Sequence, residues 1–252
     1  MKFPTGGKVR ERFKETQNRF DSGTDSTVWM KESEEIPMRK VNTRQLVLLG
    51  MFAAIAYVLM AVGRVPVVLF LSYEPKDVIF AVCGFLFGPL AAFGVALVVC
   101  LVEMFTVSTT GVIGLIMNLL SSCAFACTAS AIYKHKRTLP GAILGLILGS
   151  ILMVGVMLLW NWLITPMYMQ IERSVVEAML VPIFLPFNGL KAGLNTALTL
   201  GLYKPLTTAL RTLRLVHSGE NTQKGRSIGV YLLSALLLVT CLLLLLVFMG
   251  VL

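Results

Sequence analysis

Apolar residues run along this chain in long blocks rather than in alternation, and short polar or glycine- and proline-containing breaks separate the blocks. The first block predicts a helix over 44–62, long enough to cross a hydrocarbon layer of roughly 30 Å. The run over 78–107 is too long for one crossing and too short for two full ones, and Gly88-Pro89 breaks its interior. It therefore predicts helices over 77–88 and 89–107, the first short and either tilted or buried by its neighbours. Further spans are expected over 112–133, 139–164, 181–202 and 228–252. Between the first two lies GRVPVVLFLSYEPKD, Gly63 to Asp77, too polar at its end and too proline-interrupted to continue a span. A loop that partly re-enters is expected there.

Composition agrees: 56% of the 252 residues are hydrophobic and 14% charged, which excludes an ordinary soluble domain and predicts an all-α integral membrane protein. The net charge of +9 does not call for nucleic acid, because the basic residues gather beside apolar spans, at Arg39 to Arg44, Lys134 to Arg137 and Arg211 to Arg226. Positive residues mark the cytoplasmic side, so an even number of spans separates each pair of clusters, and the four spans from 44 to 133 satisfy this. The loops Gly63 to Lys76, Ser108 to Gly111 and Thr165 to Met179 then face outward, in a multi-pass cell-membrane protein with a cytoplasmic amino terminus. Residues 1–43 are polar and charged, carry no apolar signal-peptide core, and are expected to form a disordered cytoplasmic arm; Met38, just before Arg39-Lys40, offers an alternative start. Residues 44–215 form the six-span core, and 216–252 a basic linker followed by a seventh, peripheral, lipid-facing span.

Candidate chemistry centres on VPIFLPFNGLK, where Asn188 and Lys191, three positions apart, share a helical face inside an apolar span. Two such groups read as half of a polar binding site; the bland alternative is a capping amide and a lysine that snorkels to the interface. Asn161, between Trp160 and Trp162, is expected at a similar depth, and Thr109, Thr110 and Gly111 offer hydroxyl and backbone contacts or an ordinary turn. Glu103 is a further intramembrane charge that serves either a structural pair or a ligand. Gly50 and Ala54 form a small-residue strip on the first span, suited to close helix contact inside the bundle or with a partner. The five cysteines sit singly in apolar segments; Cys123 and Cys127 share a face without further metal-ligating partners, so no metal is expected. With no phosphate-loop, Gly-x-Ser-x-Gly or His-Glu-x-x-His motif, an ATPase or hydrolase is not expected, and a binding subunit is the simplest reading. A small integral membrane enzyme or a helix-packing scaffold is the rival from another class.

The motifs Tyr73-Glu74-Pro75-Lys76-Asp77, Phe85-Leu86-Phe87-Gly88-Pro89, Ser108-Thr109-Thr110-Gly111, Asn161 and Leu185-Pro186-Phe187-Asn188-x-x-Lys191 together resemble the riboflavin-specific S-components of energy-coupling factor (ECF) transporters, over about residues 39–213. The resemblance implies a six-span bundle that captures riboflavin outside the cell as a transported ligand, with no resident cofactor. Its partners would be a transmembrane coupling subunit and two cytoplasmic ATPases. It also implies that Asn161, Asn188 and Lys191 hydrogen-bond the polar edge of the isoalloxazine ring, that the first outer loop closes over it, and that Gly50 and Ala54 stand where the family's Ala-x-x-x-Ala strip docks on the coupling subunit. An S-component for another vitamin, or for a flavin nucleotide (FMN or FAD), is the rival within the class. The amino-terminal arm and the seventh span depart from the family pattern.

Overall fold

The computed structural model describes residues 43–212 and 227–248. The expectations for the amino-terminal arm, for Met38, and for the basic linker lie outside the described residues. Within them the chain is a helical membrane bundle: α1 (Thr43–Gly63), α2 (Lys76–Phe87), α3 (Pro89–Thr106), α4 (Gly111–Ser122) continued by α5 (Thr128–His135), α6 (Leu139–Met169), α7 (Arg173–Met179), α8 (Leu185–Thr212) and α9 (Ser227–Phe248). Two helices contain a π turn, at Cys123–Cys127 between α4 and α5 and at Leu180–Phe184 between α7 and α8. Five of the resulting helices are long and apolar enough to cross a membrane.

The short helix α2 is the axis of the bundle. All residues from Lys76 to Phe85 are buried, so its neighbours cover every side of it. Phe52 and Ala56 of α1, Val95 and Val99 of α3, Phe125 of the first π turn, Leu146 and Met153 of α6, and Ala192 and Leu200 of α8 join its apolar side chains in one core cluster. Gly88 separates α2 from α3 at φ 97°, a backbone region that a side chain disfavours, and Pro89 then opens α3 where its missing amide hydrogen costs nothing. The break read from Gly88-Pro89 is therefore a sharp reversal between two helices.

Backbone contact fixes the opposite flank. Gly141, Gly145 and Gly149 recur every fourth residue on α6; a Cβ at Gly145 would stand 2.6 Å from the Ala129 carbonyl oxygen, and one at Gly149 2.6 Å from that of Phe125. Helix α6 thus lies directly on α5 and the π turn, as small-residue repeats permit in a membrane.

The segment after α1 differs from the expected irregular loop. Val65–Val68 and Leu71–Tyr73 pair as an antiparallel hairpin, β1 and β2, with a register shift between Pro66 and Val68 and Leu69 at φ 51°. Its apolar residues Val67, Val68, Phe70 and Leu71 pack against Val176 of α7, Phe184 and Phe187, which closes one end of the bundle. The segment Thr165 to Met179 is likewise more ordered than a loop: α6 continues through Pro166 to Met169, and α7 follows it. Helix α9 packs along α8. Leu190 and Leu194 meet Cys241 and Leu245, and the buried Ser234 hydroxyl donates to the Ala197 carbonyl. The helix therefore carries an internal polar anchor, which its Leu-Val composition obscured, while Leu232, Leu236 and Leu244 stay exposed.

Candidate binding cleft

Polar side chains from four helices converge beneath the hairpin. The cleft there offers about 460 Å³ of unoccupied space counted to its open mouth. Arg64, Glu74, Glu103, Ser108, Thr110, Asn118, Ser121, Asn188 and Lys191 supply its polar lining, while Phe70, Leu71, Met117, Met157 and Phe187 supply apolar wall. A more apolar recess beside it shares Phe70, Thr110 and Met117 and adds Ile113, Trp160, Ile164 and Tyr168.

Two ion-paired groups hold the polar side in place. In the first, the fully buried Lys76 ammonium lies 2.6 Å from Glu74 Oε2 and also bonds Glu103. Arg64 reaches Glu74 at 3.4 Å, and the Asn118 amide donates to Glu103 Oε1 at 2.9 Å. In the second, Lys191 Nζ lies 3.4 Å from Asp77 Oδ2 and 3.5 Å from Ser121 Oγ. Asp77, itself fully buried, accepts further hydrogen bonds from Ser122 and from the Asn195 amide at 3.1 Å. Charges in a low-dielectric interior persist only when paired and hydrogen-bonded in this way.

The hairpin residues feel the same field. Burial alone works to raise the Glu74 carboxyl, but the ammonium groups of Lys76 and Lys191 and the Arg64 guanidinium outweigh it and hold it below the ordinary carboxylate value. Burial, and secondarily Asp77, push the Tyr73 phenol up, so at neutral pH it stays an O–H donor and binds Asn195 Oδ1 at 3.2 Å.

Of the residues singled out in the sequence, Asn188, Lys191 and Thr110 line this one cleft. The Asn188 amide donates to the Phe184 carbonyl at 2.8 Å, at the end of the π turn, and its side chain borders the cleft. Lys191 is only 7% exposed and paired with Asp77, so it does not snorkel. Asn161 is fully buried on α6, where its amide donates to Met157 and its oxygen accepts from Thr165. It stands behind the wall: Thr165, not Asn161, borders the apolar recess. Thr109 and Gly111 are exposed and border neither space, Gly111 taking φ 58° as α4 begins. Gly50 and Ala54 lie on the exposed side of α1, opposite its buried residues Leu48, Phe52, Ala56 and Met60.

The family model for "ECF transporter, substrate-specific component" matches residues 44–203, which include every residue that lines the cleft. The chain belongs to this family. It is 31% identical over 187 residues to "Riboflavin transporter RibU" of Staphylococcus aureus (strain TCH60), an alignment covering 69% of this chain and 98% of that protein. A solved structure, described as the S component of a bacterial ECF transporter, superposes with a TM-score of 0.57 at 31% identity, covering 68% of this chain and 98% of that one. This S-component is therefore an all-α, multi-pass membrane protein and a substrate-binding part of an ECF transporter.

Sequence reasoning missed several members of the polar network of this S-component. Asn195 carried a usable signal, because Asn188, Lys191 and Asn195 lie three and then four residues apart on one helical face. Asn118 and Ser121 carried a weaker one as polar residues inside an apolar span. The pairing of Lys76 with Glu103 had none, since only the packing of α2 against α3 brings the two together.

Proposed function

We propose that this S-component captures riboflavin on the outer face of the membrane and delivers it for ATP-driven uptake with a transmembrane coupling protein and two ATPases. The observation that carries the proposal is the division of the cleft: Asn188, Lys191, Ser121 and Asn118 gather on one side, and Phe70, Met117, Met157 and Phe187 form the apolar walls. A fused ring with a carbonyl-bearing pyrimidine edge and an apolar benzenoid edge matches that division. The name of the Staphylococcus aureus relative supports the same ligand. Lys191 would donate to a ring carbonyl, with Asn188 beside it. Asn161 would act from behind Thr165 by holding the wall, and Thr110 would border the mouth, with Thr109 and Gly111 shaping the turn that carries it.

Gly50 and Ala54 face away from the bundle, and a Cβ on Gly50 would meet nothing within 4 Å, so this strip is open to the close approach of a coupling-subunit helix. In this reading the chain is not an enzyme and holds no resident cofactor; the flavin is cargo. The basic cluster Lys134 to Arg137 at the end of α5, opposite the hairpin along the helices, supports a cytoplasmic amino terminus with the hairpin outside.

The decisive test is reconstitution. Purified chain in vesicles should quench flavin fluorescence on binding yet accumulate no riboflavin until the coupling protein, both ATPases and ATP are supplied. Sustained uphill uptake by the chain alone, or no flavin binding at all, defeats the proposal. Membrane-impermeant labelling should reach a cysteine placed at Glu172 and not one placed at His135.

A further inference from the structure

Helix α9 lies beyond residues 44–203, the part of the chain that the family model matches, yet its far end packs at the binding end of the bundle. Gly193, Ala197 and Gly201 recur every fourth residue of α8 and let α9 approach closely. A Cβ at Gly193 would stand 2.7 Å from Cys241 Sγ, and one at Gly201 3.1 Å from Ser234 Oγ, while the Ser234 hydroxyl donates to the Ala197 carbonyl at 2.6 Å. Residue numbers rise along α9 as they fall along α8, so the two helices run antiparallel and the end bearing Cys241 and Leu245 reaches the hairpin. There Leu190, Leu194, Cys241 and Leu245 form a buried apolar cluster, and Val67 of β1 and Tyr73 of β2 pack against it. Resting on the riboflavin reading above, we infer that α9 is part of the binding machinery: Cys241 and Leu245 are positioning residues that hold the hairpin over the cleft through Tyr73 and Val67, and thereby set how fast ligand enters and leaves.

A hairpin this small does not hold its own shape. Its strands are four and three residues long, their register is interrupted, and Leu69 sits at φ 51° in the turn, so its position is set by what it packs on. Val176, Phe184 and Phe187 hold it on one side and the α9 cluster on the other, with Val67 touching both. Tyr73 joins that brace to the cleft. Its side chain packs against the α9 cluster while its hydroxyl donates to Asn195 Oδ1 at 3.2 Å; the Asn195 amide in turn donates to Asp77, the partner of Lys191. Phe70 and Leu71 of the same hairpin line the cleft itself. Ligand exchange requires the hairpin to lift, and lifting it separates Val67 and Tyr73 from α9. A contact that favours the lowered hairpin equally with and without ligand reduces the open fraction in both states, so it slows entry and exit by one factor and leaves their ratio unchanged.

The experiment is stopped-flow quenching of riboflavin fluorescence by the full-length purified chain, unaltered and as the double variant Cys241→Ala with Leu245→Ala. Both the association and the dissociation rate constant should rise about tenfold in the double variant, with their ratio changed by less than about threefold, because the lost packing belongs to the lowered hairpin. Leu236→Ala, on the exposed side of α9, should leave both rates as they are. Unchanged rates in the double variant overturn the inference. So does faster dissociation with unchanged association, which would place the effect on the bound ligand rather than on the hairpin, and so does an equal acceleration by Leu236→Ala, which would mean a general loosening of the bundle. If the double variant fails to fold, Leu245→Ala alone should raise both rates about threefold, and the same outcomes decide. Absence of quenching by the unaltered chain defeats the riboflavin reading and this inference with it, whereas unchanged rates defeat the inference alone.

Discussion

Replacing Lys191 by Met separates its pairing with Asp77, which the structure shows, from the donation to a flavin carbonyl proposed for it. Met keeps much of the length and removes the ammonium that lies 3.4 Å from Asp77 Oδ2 and 3.5 Å from Ser121 Oγ. Asp77 is fully buried, and after the change its charge is held only by Ser122 and Asn195. Breaking one side of a buried pair costs about 3–5 kcal/mol, because the remaining charge is left uncompensated. Flavin affinity should fall as well, by about 1–3 kcal/mol for a ligand carbonyl left without its donor, or roughly ten- to a hundredfold in Kd. The double variant Lys191→Met with Asp77→Asn removes the stranded charge. It should recover most of the lost stability and none of the lost affinity. Thermal unfolding of the purified chain in detergent and flavin-fluorescence titration read the two quantities independently. If the single variant is as stable as the parent and binds as well, the buried pair and the site both fail; if the double variant recovers affinity along with stability, Lys191 serves only to balance Asp77.

Ala54→Trp places a large side chain on the exposed strip of α1 and should abolish coupled uptake in vesicles while leaving flavin titration unchanged; a parallel loss of binding would mean the strip is not a docking face. Gly149→Ala tests the contact between α6 and the π turn, because its Cβ would stand 2.6 Å from a backbone oxygen that cannot rotate aside. Helix propensity alone favours Ala by about 0.5–1 kcal/mol, whereas overpacking costs about 1–3 kcal/mol, so the unfolding temperature should drop. Glu74 has a folded-state pKa below its ordinary value, so its charge stabilises the fold above the ordinary carboxylate range and that contribution disappears as pH falls through the lowered value. Glu74→Gln should therefore be less stable than the parent at pH 7 and approach it in acid; a constant gap from pH 7 down to pH 3 would contradict this.

The spans were legible because a bilayer leaves backbone no choice but to pair internally, so length and apolarity alone define them. Gly88-Pro89 was equally plain, since both residues act locally. The hairpin was not: VPVVLFLSY has no glycine or asparagine at its turn, and Leu69 takes the left-handed conformation there without any sequence marker. Pro182 falls within the π turn Leu180–Phe184, with a further helix before it, so proline position alone does not mark where this span begins. At the cleft, Asn188 and Lys191 stood out because an apolar context makes polar residues costly. Asn161 stood out for the same reason, yet it satisfies its amide within α6, and spacing along one helix cannot reveal which face a second helix covers. The Lys76, Glu74 and Glu103 set depends wholly on that second kind of information.

The enclosure of α2 also constrains how this protein is made. Twelve residues rise about 18 Å as a helix, well short of the hydrocarbon layer, and the segment opens with Lys76 and Asp77. Such a helix does not partition into lipid on its own, so during synthesis it must enter together with α1 or α3. The groups that neutralise it then arrive in a fixed order as the ribosome proceeds: Glu103 first, Ser122 next, and Lys191 and Asn195 more than a hundred residues after Asp77. Until α8 leaves the translocon, Asp77 lacks its cation. Completion of the last strand of the polar network is thus a late checkpoint, and a chain truncated before α8 should be a substrate for membrane quality control rather than a partly working binder.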